Sequence, residues 1–191
     1  MASVPAAAAS ERRVPPLLFG TVLFLASELL FFGSLFAAYF ALRAQTDPWP
    51  PEGADLELLI PTVGTVLLVV SSVTFQLGTR AGERERLAGL RAWIALSLVL
   101  GVTFLGLQIW DYTQLVFEVS SHAYGTIFYA MTGFHGLHVA AGLVLMLVVL
   151  GRLSQGAYRG GRVASVQAIG YYWHFVDVVW IALYATLYVL R

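Results

Sequence analysis

Five stretches of this 191-residue chain stay apolar long enough to cross about 30 Å of hydrocarbon, a distance that takes roughly 20 helical residues. They cover residues 17–42, 58–78, 92–110, 124–150 and 168–190. The runs are continuous rather than alternating and are about twice the length of a spanning strand, so a lipid-embedded β-barrel is excluded. Composition agrees: 59% of residues are apolar and 12% charged, against roughly 45–50% and 25% in an average soluble domain. The expectation is an all-α integral membrane bundle of five transmembrane helices. Pro61 falls in the first turn of the second run, where its missing N–H costs nothing.

The charges give that bundle a direction. All 11 basic residues are arginine, and they divide unevenly among the connections. Arg12 and Arg13 precede the first run, Arg80, Arg84, Arg86 and Arg91 lie between the second and third, and Arg152, Arg159 and Arg162 lie between the fourth and fifth. The opposite side has Arg43 and Arg191 alone. The positive-inside rule then places the N-terminus in the cytoplasm and the C-terminus across the membrane. Residues 1–16 read as a disordered cytoplasmic tail, because the Ala-rich stretch is short, precedes the Arg pair and lacks the long apolar core of a signal peptide. The connections are too short for a further domain, so residues 17–191 form one membrane unit.

Composition also removes whole classes of function. Eleven acids balance the arginines to a formal net charge of zero, which argues against a nucleic-acid partner. With no cysteine, disulfides, thiolate metal sites, iron–sulfur clusters, covalent haem attachment and cysteine nucleophiles are excluded. No internal repeat is visible, which weighs against an inverted-repeat transporter.

Ionisable side chains at bilayer depth are costly unless neutralised, paired or hydrated, and five need an explanation. Glu28 sits near the middle of the first run, His135 and His138 near the middle of the fourth, and His174 and Asp177 in the fifth. The three-residue spacings put His135 with His138, and His174 with Asp177, on shared helix faces. Similar depth makes an interhelical Glu–His contact geometrically accessible. Three readings stay open: a metal or haem site, a proton-handling role for Glu28, and plain helix-to-helix or lipid-headgroup hydrogen bonding. Gly33, Ala37 and Ala41, and Gly136 with Ala140, recur at the four-residue spacing of close helix contacts. Trp49, Trp93, Trp110, Tyr112, Tyr124, Tyr171, Tyr172 and Trp173 gather at the ends of the runs, as an interfacial aromatic belt does.

Three strings carry more than generic membrane composition: Ser27-Glu28-Leu29-Leu30-Phe31-Phe32, Thr132-Gly133-Phe134-His135-Gly136-Leu137-His138-Val139, and Tyr171-Tyr172-Trp173-His174-Phe175-Val176-Asp177-Val178-Val179-Trp180. In this order and on these runs, the chain from about Leu18 to Arg191 resembles subunit III of the haem-copper oxidases, the cytochrome c oxidase type in particular. It is similar to the short five-helix bacterial form, since no span precedes the one carrying Glu28. The stretch Ser121-His122-Ala123-Tyr124-Gly125-Thr126-Ile127-Phe128-Tyr129 is similar to the version in high-GC bacteria, whose oxidase associates with a cytochrome bc complex. The all-arginine basic set fits such a genome.

The resemblance implies an accessory subunit of the plasma membrane with no catalytic residues, metal or cofactor of its own. The haems and copper would lie in subunits I and II, with subunit I as the main contact, a cytochrome bc complex as a further partner, and bound phospholipid. Glu28 and His138 match the family's lipid-related or proton-related positions. His135, His174 and Asp177 match positions whose implied role is helix-to-helix hydrogen bonding. In the seven-helix form a V-shaped cleft holds phospholipid, and one arm of that cleft has no counterpart here. The alternatives are subunit III of a quinol oxidase or of a nitric-oxide-reductase-associated complex, which the Tyr171–Asp177 string disfavours, and a small proton-coupled transporter. An intramembrane enzyme finds no support, because no serine pairs with a histidine and no two carboxylates share a face.

Overall fold

A computed structural model describes residues 15–158, 160 and 162–190 of the chain. Five helices account for most of it: α1 (Pro16–Gln45), α2 (Leu59–Glu83), α3 (Leu87–Gln114), α4 (Ala123–Ser154) and α5 (Ala164–Tyr184), the last continued by a π turn over Ala185–Val189. All five are long and apolar enough to cross a membrane, and no strand occurs among the described residues. Residues 1–14, most of the expected tail, lie outside the described residues; Pro16 already opens α1.

The helices outrun the apolar stretches that announced them. α2 continues through Arg80 and Glu83, α3 begins before Arg91, α4 runs past Arg152, and α5 begins at Ala164 rather than Ala168. Hydropathy reports the thickness of the hydrocarbon, whereas backbone hydrogen bonding continues into the headgroup layer, where charged side chains are solvated. At the other end α4 is started by a side chain: the Gly125 N–H donates to His122 Nδ1 at 2.8 Å, so this histidine caps the helix.

Helices α2, α3, α4 and α5 form a ring in which each packs on its two neighbours, and α1 lies outside the ring against α4 and α5. Leu68, Phe75, Ile94, Phe104, Phe128, Met131, Met146 and Trp173 fill the centre of the ring. Polar ties cross it: Thr74 Oγ1 and Ser97 Oγ lie 2.7 Å apart between α2 and α3. From α5, Trp173 Nε1 donates to Ser71 Oγ at 3.0 Å and Trp180 Nε1 donates to Thr65 Oγ1 at 2.9 Å. The outside is as apolar as the inside, with Leu30 76% and Leu137 66% exposed. That suits a solvent of acyl chains, against which an outward leucine has nothing to lose.

Two expectations about packing change. The Gly33–Ala37–Ala41 stripe makes no close helix contact within this chain: nothing approaches within 4 Å of the place a Gly33 Cβ would occupy, and Ala37 and Ala41 are exposed. The close approach occurs instead at Gly101 and Gly142. A Cβ on Gly142 would stand 2.6 Å from the Trp173 ring, and one on Gly101 2.7 Å from Leu143 and 3.0 Å from the same ring. Trp173 and Tyr172, read as belt residues, are therefore core: Trp173 is 0% and Tyr172 7% exposed. With α5 starting at Ala164, Trp173 lies about two and a half turns inside the helix. Tyr124 is buried as well, whereas Trp93, Trp110 and Tyr171 keep the exposure of a belt.

Candidate functional site: a Glu–His pair beside an apolar groove

Glu28 stands near the middle of α1 and His138 near the middle of α4, and α1 leans on α4 so that the two meet. His138 Nε2 lies 3.0 Å from Glu28 Oε2, with side chains 17% and 19% exposed, and this is the ion-pair contact found among the described residues. The other ring nitrogen, Nδ1, is 2.7 Å from the Phe134 carbonyl oxygen. A carbonyl only accepts, so Nδ1 carries hydrogen and donates it, which fixes the tautomer. One proton must then occupy the contact between Nε2 and Oε2. The pair is net neutral whether written as carboxylic acid with imidazole or as carboxylate with imidazolium, and neutrality is what hydrocarbon depth demands.

Aromatic rings wall the pair. Phe32 meets the His138 ring edge-on at 5.1 Å, and Phe31 and Tyr172 stack beside it at 6.3 and 6.4 Å. Tyr172 also donates its hydroxyl hydrogen to the His138 carbonyl at 2.9 Å, tying α5 to α4 at the same level. Sequence reading missed this tyrosine because its neighbours made it look interfacial.

Toward the start of α1 the helices part. Between α1, α4 and α5 opens a groove of about 630 Å³ lined by Leu17, Phe24, Val144, Leu145 and Tyr172 among others. Its walls are almost wholly hydrocarbon, and Tyr172 belongs both to the groove and to the shell of the Glu28–His138 pair.

The remaining three expected site residues go elsewhere. His135 and His138 do not share a site: His138 faces α1, whereas His135 is fully buried toward α3 and α5. A three-residue step still rotates the side chain by about 60°, enough to aim the two rings at different neighbours. The expected interhelical hydrogen bond of His135 is absent. Neither ring nitrogen has a hydrogen-bond partner, and the ring joins helices by packing, stacked on Trp180 at 4.9 Å and edge-on to Phe104 at 5.9 Å. His174 does hydrogen-bond between helices, with Nδ1 2.7 Å from Ser72 Oγ and Nε2 3.2 Å from Gln76 Oε1, both on α2. Asp177, one turn further along α5, is buried with its carboxyl group beside the Ser72 side chain of α2, while its Oδ1 has no partner. No group of three or more His, Cys, Asp or Glu among the described residues is arranged to hold a metal ion.

A second polar cluster lies toward the far ends of α3 and α5, and hydropathy gave no sign of it. Tyr188 donates to Asp111 Oδ2 at 3.2 Å, Gln108 Nε2 donates to the Thr132 carbonyl at 2.9 Å, and Tyr112 donates to Thr132 Oγ1 at 2.7 Å. Asp111 lies just past the third apolar run. The signal available was its spacing of three residues from Gln108 and four from Leu107, which places a carboxylate on an otherwise buried face.

Comparison with known proteins gives the family. The family model described as cytochrome c oxidase subunit III matches residues 11–191. A probable cytochrome c oxidase subunit 3 of Nocardia farcinica is 44% identical over 176 residues, covering 90% of this chain and 87% of that protein. Cytochrome c oxidase subunit 3 of Thermostichus vulcanus is 42% identical over 172 residues, covering 90% and 86%. That of Synechocystis sp. is 42% identical over 175 residues, covering 91% and 75%. With the match extending across all five helices and both halves of the Glu28–His138 contact, this chain belongs to the cytochrome c oxidase subunit III family.

Proposed function

We propose that this chain is the non-catalytic subunit III of a proton-translocating, oxygen-reducing cytochrome c oxidase in a bacterial plasma membrane, with its N-terminus in the cytoplasm. In this reading the haems and copper reside in subunits I and II, and the chain packs mainly on subunit I. It holds structural phospholipid and supports proton uptake and durability over many turnovers. The observation that carries the reading is the neutral Glu28–His138 pair at mid-depth beside the α1/α4/α5 groove. A pair that shares one proton is a store or a latch rather than a redox centre. An apolar groove of about 630 Å³ suits acyl chains, because it offers them contact without demanding that any polar group be desolvated.

Replacement of Glu28 by Gln in the intact oxidase tests the proposal. Gln keeps a group able to donate to His138 Nε2, so assembly and the initial rate of electron transfer stay nearly unchanged, while retained phospholipid or activity over prolonged turnover falls. Immediate loss of all oxygen reduction would mean that this side chain takes part in the chemistry, and the accessory role would be abandoned.

A further inference from the structure

Asp177 is a buried carboxyl near the middle of α5, and its neighbours fix where a proton must sit. His174 Nε2 lies 3.2 Å from Gln76 Oε1, an atom that only accepts, so Nε2 carries hydrogen. Nδ1 of the same ring lies 2.7 Å from Ser72 Oγ, and the Asp177 carboxyl also hydrogen-bonds Ser72. A serine hydroxyl has a single hydrogen for these two partners. If that hydrogen goes to a neutral His174, Asp177 keeps its contact only as the carboxylic acid, donating to Ser72 Oγ. If it goes to Asp177, His174 must be the imidazolium and donate from Nδ1. Either way the two groups together hold one more proton than a carboxylate beside a neutral imidazole. That last arrangement would leave Ser72 short of a hydrogen and a net negative charge at hydrocarbon depth.

These groups are not sealed off. A groove of about 430 Å³ between α2 and α5 is lined by Ser72, Gln76, Arg80, His174 and Asp177, with apolar side chains around them. Ser72, Gln76 and Arg80 follow one another at four-residue steps, which aligns them on one face of α2. Arg80 lies in the last turn of α2, about 12 Å along the axis from Ser72 at about 1.5 Å per residue. The polar stripe therefore runs from headgroup level down to the Asp177 carboxyl. Arg80 and His174 are the ionisable groups that line the groove with it.

We propose that Asp177, Ser72 and His174 form a proton-binding site, separate from the Glu28–His138 pair, that is loaded from the arginine-bearing surface along the α2/α5 groove. At rest the proton is on Asp177, because an acid beside a neutral imidazole places no separated charges in hydrocarbon. Transfer breaks the Asp177 O–H bond and forms one to Ser72 Oγ, while the Ser72 hydrogen passes to His174 Nδ1. Carboxylate and imidazolium result, with the net charge unchanged. The proton comes from water at headgroup level, and no electron moves. The proposal rests on the oxidase-subunit reading above for what the site serves, namely proton uptake.

Infrared difference spectra of the intact oxidase, wild type against Asp177→Asn, test the site. A carboxylic-acid C=O band that shifts in heavy water should be lost in the variant. Loss of a carboxylate band instead would show Asp177 ionised and overturn the proposal. Where Asp177→Asn does not assemble, Ser72→Ala serves: the acid band should move to higher frequency as the carboxyl loses its acceptor, and an unmoved band would overturn the serine bridge. Val73→Trp plugs the groove, which Val73 lines, and should slow deuterium uptake by the acid band several-fold; an unchanged rate would overturn the loading route. The same acid band in a chain that purifies without haem-bearing subunits would uphold the site and overturn the oxidase reading.

Discussion

The two ends of the bundle are built on opposite plans. At the end holding the loops 46–58 and 115–122, rings fill the space between helices. Trp49 sits edge-on between Tyr39 and Tyr124 and donates from Nε1 to Tyr39 Oη at 3.1 Å. Phe117 packs on Tyr124, Phe128 and Tyr129, and the Tyr129 hydroxyl donates to the Phe117 carbonyl at 3.1 Å. Arg43 reaches across to donate to the Leu190 carbonyl at 2.7 Å, joining the end of α1 to the end of α5. The other end carries Arg80, Arg84, Arg86, Arg91, Arg152 and Arg162, and here the helices separate into grooves between α1, α4 and α5, between α3 and α4, and between α2 and α5. The chain holds itself together at the first end and offers surface to others at the second. Aromatic rings bury large areas against each other and leave no room for lipid, whereas the parted helices leave apolar and polar walls for outside molecules.

Four substitutions put that contrast to the test. The largest effect belongs to neither end but to the waist they share. Gly142→Leu drives a side chain into the Trp173 ring, where a Cβ alone would lie 2.6 Å away. It should cost about 3 kcal/mol or more and abolish accumulation of the chain in the purified complex; normal yield and thermal midpoint would show that the waist is not tight. At the ring-filled end, Trp49→Ala removes two ring contacts and a hydrogen bond. It should destabilise by about 3 kcal/mol, while Trp49→Phe recovers most of that, as a thermal-denaturation series on the complex would read.

Tyr188→Phe is a smaller probe of the same end. It leaves Asp111 Oδ2 buried without its donor and should cost about 2 kcal/mol; a neutral result would mean that the carboxyl finds another partner. At the arginine end, Phe24→Ala widens a groove that is already open. Its stability change should stay within about 0.5 kcal/mol, with the consequence visible in the amount or kind of co-purifying phospholipid. A loss as large as that of Trp49→Ala would erase the distinction between the two ends.

How much of this was legible beforehand varies residue by residue. Glu28 and His138 stood out because ionisable groups at mid-depth are rare, and their similar depth permitted the contact that the structure contains. The direction in which His135 points was not legible, although it lies three residues away on the same helix. In a soluble helix, alternation of polar and apolar faces would reveal the inward side. Here Leu137 faces out and Val139 faces in, and nothing in their chemistry says which. The same ambiguity hid Trp173, whose burial follows from the rotation of α5 and from the glycines opposite it rather than from its own character.

The five spans, the uneven distribution of arginine and the positions of the ionisable groups along the spans are written in the amino-acid order alone. In hydrocarbon every backbone polar group must be satisfied within its own helix, and charge must stay near the surface, so these are properties of a single segment. Which groups meet was settled by packing: Glu28 with His138, His174 with Ser72 and Gln76, Tyr188 with Asp111, and His135 with rings rather than hydrogen-bond partners. The rotation of each helix about its axis sets those partnerships. An apolar solvent removes the penalty that would otherwise write that rotation into the sequence.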